Sequence, residues 1–289
     1  MTRAVLRPAR RGDEAAIDAF LAMRPETCMF LRSNLAAHGL EDRQAPRGMQ
    51  VHIYEVDGEI SGVFARSNAG YVQAQGPLED RDFWAALGRE MAGRTVFGFS
   101  GTPGIAARIQ AALGLEAAQF SLMEREGLYR LDLDRLTAPD VTIRPPEASD
   151  LPLLIDWIYD YDTATLGAPA GDATRARVAQ VAERAVADGQ TRLLIEGGRP
   201  VAKTAFNATL PDMVQVGGVY VPPARRNQGR ARRVVAAHLA EARARGVRTA
   251  ILFTSGKAAA RAYRAIGFKR IGDYTLALMP APVTIGAAP

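Results

Sequence analysis

The segment Leu6-Arg7-Pro8-Ala9-Arg10-Arg11-Gly12-Asp13 returns in near copy as Ile143-Arg144-Pro145-Pro146-Glu147-Ala148-Ser149-Asp150. Each copy reads as a short strand and a turn that caps a helix, with Ile17, Phe20 and Leu21 following the first and Leu154, Trp157 and Ile158 the second, at helical spacing. Later features recur in the same order. A hairpin turning at Asp57-Gly58 is matched by one at Gly197-Gly198, and Ala107-Arg108-Ile109-Gln110-Ala111-Ala112-Leu113-Gly114-Leu115 by Ala260-Arg261-Ala262-Tyr263-Arg264-Ala265-Ile266-Gly267-Phe268. A chain that repeats itself in this way folds as two similar halves. Its 289 residues, 48% hydrophobic and 23% charged, suffice for two packed cores.

Between the second hairpin and the second closing segment lies a stretch without a full counterpart. The β-branched run Val219-Tyr220-Val221 stops at Pro222-Pro223, a loop Ala224-Arg225-Arg226-Asn227-Gln228 follows, and a helical pattern opens at Gly229-Arg230-Ala231. A strand, a loop and a helix start in this order present free backbone N–H groups and the positive end of a helix dipole, which together suit a phosphate or pyrophosphate. Glycine at 229 lets the backbone approach an anion, and the small Ala231 lets the first turn pack on its neighbour.

The spacing Arg226-x-x-Gly229-x-Ala231 resembles the acetyl-CoA pyrophosphate loop of the GNAT acyltransferase superfamily, Gln/Arg-x-x-Gly-x-Gly/Ala. Downstream, Ala259, Tyr263, Gly267 and Phe268 match that superfamily's second signature, Asn-x-x-Ala-x-x-x-Tyr-x-x-x-Gly-Phe, with Gly256 standing where the family usually has Asn. The resemblance implies an α/β fold of the α+β kind with mixed sheets, arranged as two GNAT-like domains in tandem. The expected domains are residues 1–136, a degenerate copy, and 141–280, the catalytic copy, with 281–289 a frayed tail. Residues 129–133 are expected to close the first half, and residues 134–140, carrying Pro139, to link the two.

The same resemblance assigns the site. The amides of Asn227, Gln228, Gly229, Arg230 and Ala231 would hold the pyrophosphate of acetyl-CoA, with Arg226 and Arg230 or Arg232 near the phosphates. Val219, Tyr220 and Val221 lie on the strand that in the family splays from its neighbour and pairs with the pantetheine arm, one N–H facing the thioester carbonyl; Gly217-Gly218 favours a bulge there. Ser255, Lys257 and Ala259 complete the cofactor-binding set, and Tyr263 is the candidate acid for the leaving thiolate. The general base is not legible: no Asp or Glu lies on residues 213–221. Asp156, Asp160, Tyr161 and Asp162 fall where acceptor-side helices would be, and their role stays open.

In the first half the loop is replaced by Gly76-Pro77-Leu78-Glu79-Asp80-Arg81, whose acids would repel a phosphate, and Gln110 replaces the tyrosine. That half is expected to keep the fold without the cofactor.

Several classes are excluded or disfavoured. The single cysteine, Cys28, allows no internal disulfide, and His38, His52 and His238 are too scattered for a metal centre, so no metal is expected. No apolar run is long enough to span a membrane and the first residues lack a signal-peptide core, so a cytoplasmic location and no membrane partner are expected. Net charge is +5, but from Val221 to Ala250 eight arginines stand against the single acid Glu241, leaving the remainder slightly acidic. Such a local patch fits a multiply phosphorylated small molecule better than nucleic acid. The expected activity is acetyl transfer from acetyl-CoA to a primary amine of a small molecule or protein. A non-catalytic acyl-CoA-binding or scaffold protein and a tandem aminoacyl transferase are the alternatives, and a homodimer is left open.

Overall fold

A computed structural model describes residues 4–286; residues 1–3, at the start where a signal core was sought, and residues 287–289 of the expected tail lie outside the described residues. The chain forms two compact units, Met1–Glu126 with Asp273–Pro289, and Gly127–Gly272.

The first unit runs β1 (Ala4–Pro8), α1 (Glu14–Ala22), α2 (Met29–His38), β2 (Met49–Val56), β3 (Glu59–Ser67), β4 (Tyr71–Gln75), α3 (Arg81–Met91), β5 (Thr95–Gly101) and α4 (Pro103–Ala112), then enters β6 (Leu122–Asp132). Neighbouring strands β1 to β5 pair antiparallel except β4 with β5, which are parallel. Both faces of the sheet are covered. Ile17, Leu21 and Leu35 from α1 and α2 pack on Ile53 and Val63, and Phe83, Leu87 and Ile109 from α3 and α4 on Phe64, Val72 and Phe99.

The second unit repeats the plan with β7 (Thr142–Arg144), α5 (Leu151–Thr165), α6 (Asp172–Ala187), β8 (Thr191–Glu196), β9 (Arg199–Thr209), β10 (Met213–Tyr220), α7 (Arg230–Ala244), β11 (Thr249–Thr254) and α8 (Lys257–Arg264), before β12 (Lys269–Thr284). Again β10 and β11 are parallel, and the other described pairs of β6 to β11 antiparallel. Leu154, Trp157 and Val178 of α5 and α6 cover one face of this sheet, and Val234, Val235 and Leu239 of α7 the other. Each fully buried side chain of this size contributes about 1.5–3 kcal/mol relative to exposure.

Two devices recur in both units, the first of them the predicted hairpin. The hairpins turn through Asp57 and Gly58 (φ 52° and 88°) and through Gly197 and Gly198 (56° and 74°), left-handed pairs whose twist suits the strands they join. The strand-to-helix turns, expected to cap their helices, are instead pinned by a fork, since neither Asp13 nor Asp150 makes a side-chain cap bond to α1 or α5. Arg7 donates to both carboxylate oxygens of Asp13 at 2.7 and 3.1 Å, and Arg144 to those of Asp150 at 2.6 and 3.0 Å.

The closing strands depart from expectation. Residues 127–132 of β6 pair antiparallel with β11, from Thr249↔Asp132 to Thr254↔Gly127, so they close the second unit and not the first. The first unit is closed by β12, which pairs with β5 from Thr275↔Gly101 to Thr284↔Thr95. Burial explains the error. Tyr129 and Leu131 are buried beside Leu252, and Ala277 and Met279 beside Phe99, but an alternating strand reports that one face is covered, not which sheet covers it. Residues 281–284, expected to fray, belong to β12, and Ile285 is buried with its carbonyl accepting from Gly93 N–H.

Candidate functional site

In the second unit β10 pairs with β11 only from Met213↔Thr249 to Val216↔Leu252, although both strands continue, so they part beyond Val216. Against β9 its register shifts between Gly217 and Tyr220, and Gly218 has φ 56°, a left-handed conformation that glycine adopts without strain. A bulge therefore stands where the glycine pair predicted one, and residues 217–220 have an edge free of β11. A side chain at 217 would collide with Asn207, which closes over it. Lys203 of β9, buried, donates from Nζ to the carbonyl of Gly218 at 2.8 Å.

Residues 221–229 carry the chain from β10 to α7. A single 3-10 turn, Pro223–Arg225, folds the loop back, Asn227 and Gly229 take positive φ (62° and 72°), and Gly229 caps α7 with no side chain to satisfy its first amides. The first helical bond runs from Arg233 N–H to Gly229 O, leaving the N–H groups of Arg230, Ala231 and Arg232 without an acceptor inside the helix.

The arginines divide into braces and free cations. Arg230 donates to Glu196 at 2.9 and 2.5 Å and to the Arg225 carbonyl, Arg233 joins the same carboxylate at 2.8 Å, and Arg243 donates to the carbonyls of Leu133 and Leu136. The Arg230 hydrogen bond, with help from Arg233, holds the Glu196 carboxyl below the usual range. Arg230 was expected beside phosphate; its guanidinium is already engaged by Glu196 and by the loop at Arg225 and Gln228, and acts as a brace. Arg226 and Arg232 are exposed and pair with no carboxylate among the described residues. Arg226 bonds the Val221 carbonyl, and the Arg232 guanidinium lies so close that a Cβ on Gly229 would stand 3.1 Å from its Nε.

Helix α8 starts in the same uncapped manner at Gly256, with Ser255 and Lys257 exposed and Ala259 half-buried. Tyr263 points into the core, its ring centroid 6.1 Å from that of Phe268. Burial, with a smaller contribution from Tyr161, raises its phenol well above the usual range, so it holds its proton at neutral pH. Val219 and Val221 are half-buried at the open end of β10, whereas the side chain of Tyr220 turns to α5.

The acids left open by the sequence are separated by α5. Asp160 accepts from Tyr220 Oη at 2.5 Å, and Asp162, buried, accepts from Arg177 at 2.8 Å. Burial, then Asp160, pushes the Tyr220 phenol up to about 12. Asp156 lies on the exposed side with Arg175. The Tyr161 ring faces Lys203 Nζ at 5.9 Å. Lys203 was missed because a lysine inside an alternating strand reads as a solvent-facing position; its partner, the carbonyl of a bulge, carries no sequence signal. His238 is a core residue stacked on Phe206 at 3.7 Å, pushed down to about 3 by burial and therefore neutral. No described helix is long and apolar enough to cross a membrane.

The arrangement is an uncapped helix N-terminus beside exposed arginines, a bulged strand edge leading to it, and a protonated phenol on the following helix. Residues 154–268, all in the second unit, match the model of the Acetyltransferase (GNAT) family. No curated protein matches the chain. Among solved structures, an acetyltransferase from the GNAT family of Colwellia psychrerythraea is 14% identical with TM-score 0.52, covering 95% of this chain and 99% of that one. A Drosophila protein is 13% identical with TM-score 0.64, covering 96% and 99%. A tandem GNAT protein from the clavulanic acid biosynthesis pathway is 14% identical with TM-score 0.52, covering 99% and 100%. At these identities the likeness is one of fold, and it extends over both units. The second unit thus carries an acetyltransferase domain of the GNAT family, set in a fold shared along its whole length with a tandem GNAT protein.

Proposed function

We propose that the second unit is an acetyl-CoA-dependent N-acyltransferase acting on a primary amine of a small molecule or protein, and that the first unit holds no cofactor. The observation that carries this reading is the uncapped start of α7. Its three unsatisfied amides, the left-handed Gly229 and the exposed Arg226 and Arg232 fit a pyrophosphate, and a side chain at 229 would crowd Arg232.

When bound, acetyl-CoA supplies the activated acyl group. The loop from Asn227 to Ala231 binds the anion, and the free edge of β10 at Val219 and Val221 orients the extended arm through main-chain groups. The bulge aims one N–H at the acyl carbonyl, where negative charge develops during attack by the amine. Tyr263, protonated at neutral pH, gives its proton to the departing thiolate. Ser255, Lys257 and Ala259 line the second uncapped helix start on the cofactor side.

Calorimetric titration of the whole chain with acetyl-CoA, followed by an assay of CoA release over amines and peptides, tests the reading. Tyr263→Phe should leave affinity within a few-fold and lower turnover by roughly tenfold to a thousandfold. Binding without turnover of any amine would favour the non-catalytic alternative, for which the core packing of Tyr263 against Phe268 is the supporting observation.

A further inference from the structure

Among the buried ionisable groups of the second unit, Lys203 is the one whose hydrogen-bond partner belongs to the site itself. Its Nζ is sequestered in the sheet face under α5, and at 2.8 Å it donates to the carbonyl of Gly218. That carbonyl is half of a peptide unit lifted out of the ladder by the register shift between Gly217 and Tyr220. All described peptide bonds are trans, so the N–H of Val219 leaves the same plane in the opposite direction from the Gly218 oxygen.

An ammonium placed on a carbonyl oxygen draws electron density through the amide and makes its N–H a stronger donor, the cooperative effect of chained hydrogen bonds at low dielectric. We infer that Lys203 is a positioning residue for acyl transfer: it fixes and polarises the Gly218–Val219 peptide, so that the Val219 N–H binds the acyl carbonyl more strongly as charge develops on it. The inference rests on the proposed function, in which that N–H faces the thioester. A neutral residue would satisfy the Gly218 carbonyl at far smaller desolvation cost. What only a cation adds is the field along the peptide.

The surroundings keep the charge titratable. From α5, Asp162 attracts the ammonium but is itself bonded by Arg177 of α6, and the Tyr161 ring lies 5.9 Å away. From β10 the register neighbour is Tyr220, bound to Asp160, and Tyr263 of α8 interacts with Tyr161. Burial outweighs Asp162 and pushes the ammonium down to about 8. Lys203 is therefore charged below that pH and loses its charge, and with it the polarisation, as pH rises through it.

The test is the carbon-13 resonance of acetyl-CoA labelled at the acyl carbonyl, bound to the whole chain. In the wild type it should move downfield of the free ligand and drift back as pH is raised through about 8. Lys203→Met should bind acetyl-CoA within a few-fold yet lose at least half of the downfield shift; Lys203→Arg should keep most of it and lose the pH drift, because guanidinium stays charged. A wild-type shift in Lys203→Met overturns the inference, as does an unchanged pH drift in Lys203→Arg, the second readout standing if the Met variant does not fold. If the wild-type chain binds no acetyl-CoA, the proposed function fails and this inference with it. Binding with a resonance insensitive to Lys203 removes the inference alone.

Discussion

The two units share a fork, a hairpin, a parallel strand pair and a closing helix, and differ in how two helices begin. In the second unit α7 and α8 start at Gly229 and Gly256, neither with a side-chain cap. In the first unit α3 starts at Asp80, whose carboxylate accepts from the N–H groups of Asp82 and Phe83 at 3.0 Å, and α4 at Thr102, whose hydroxyl accepts from Ile105 N–H. The first unit thus closes both helix starts with side-chain oxygens where the second leaves them open. Phe83 completes the closure, its ring occupying the space that side chains at Gly62 and Gly76 would need. Gln110, which takes the tyrosine's place, bonds the Leu115 carbonyl and ties down the end of α4. One fold can therefore start the same helix on a capping carboxylate or on a glycine that leaves its first amides open.

The largest expected effect comes from removing the plug. Phe83→Ala should destabilise the chain by about 3–5 kcal/mol, the scale of a buried aromatic lost to a cavity, read by denaturant unfolding, and should give the first unit no affinity for acetyl-CoA while Asp80 remains. A first unit that then bound CoA would show that Phe83 alone closes the seat.

Placing the carboxylate of the first unit into the second, as Gly229→Asp, should weaken acetyl-CoA binding by at least about a hundredfold, since it strains a left-handed position and sets an anion against an anion. Wild-type affinity in a folded Gly229→Asp chain would end the comparison drawn above.

The forks allow a finer test. Asp150 keeps 8% side-chain exposure and Asp13 21%, so Arg144→Ala should cost about 2 kcal/mol and Arg7→Ala about 1, both discounted for partly exposed arginines. Hydrogen bonds from these arginines depress both carboxyls. Their contribution is accordingly present above the unfolded carboxylate value, near 4, and lost as pH falls through the lower folded value. Urea midpoints of wild type and variants should converge in acid; a gap that persists there would mean the forks act through packing.

The smallest effect belongs to the cap. Asp80→Ala should cost about 1 kcal/mol, and unfolding midpoints would detect it.

Much of this fold was legible because local chemistry wrote it twice. Asp57-Gly58 and Gly197-Gly198 demand left-handed turns, and Arg7 with Asp13 recurs as Arg144 with Asp150 at the same offset. The loop at Gly229 and the bulge at Gly217-Gly218 were legible for the same reason, that glycine marks backbone which other residues resist. Long-range pairings were not. Nothing adjacent to Glu196 announces that it will gather Arg230 and Arg233, and Lys203 has the polar alternation of a surface strand until the bulge brings a carbonyl to it. The partners of β6 and β12 were illegible because an alternating strand does not carry the identity of the strand it will pair with.

Those exchanged strands bear on how the protein is made and how it comes apart. The first unit waits for residues 273–284, made after the whole of the second unit, while the second draws residues 127–132 from the strand that ends the first. During synthesis β5 emerges with its partner still untranslated, an unpaired edge of the kind that recruits chaperones or neighbouring chains. Cutting the chain at residues 134–140 would put β6 and β11, and likewise β5 and β12, on different fragments, so the nicked halves should stay together until denaturant parts them and neither should be an independent domain.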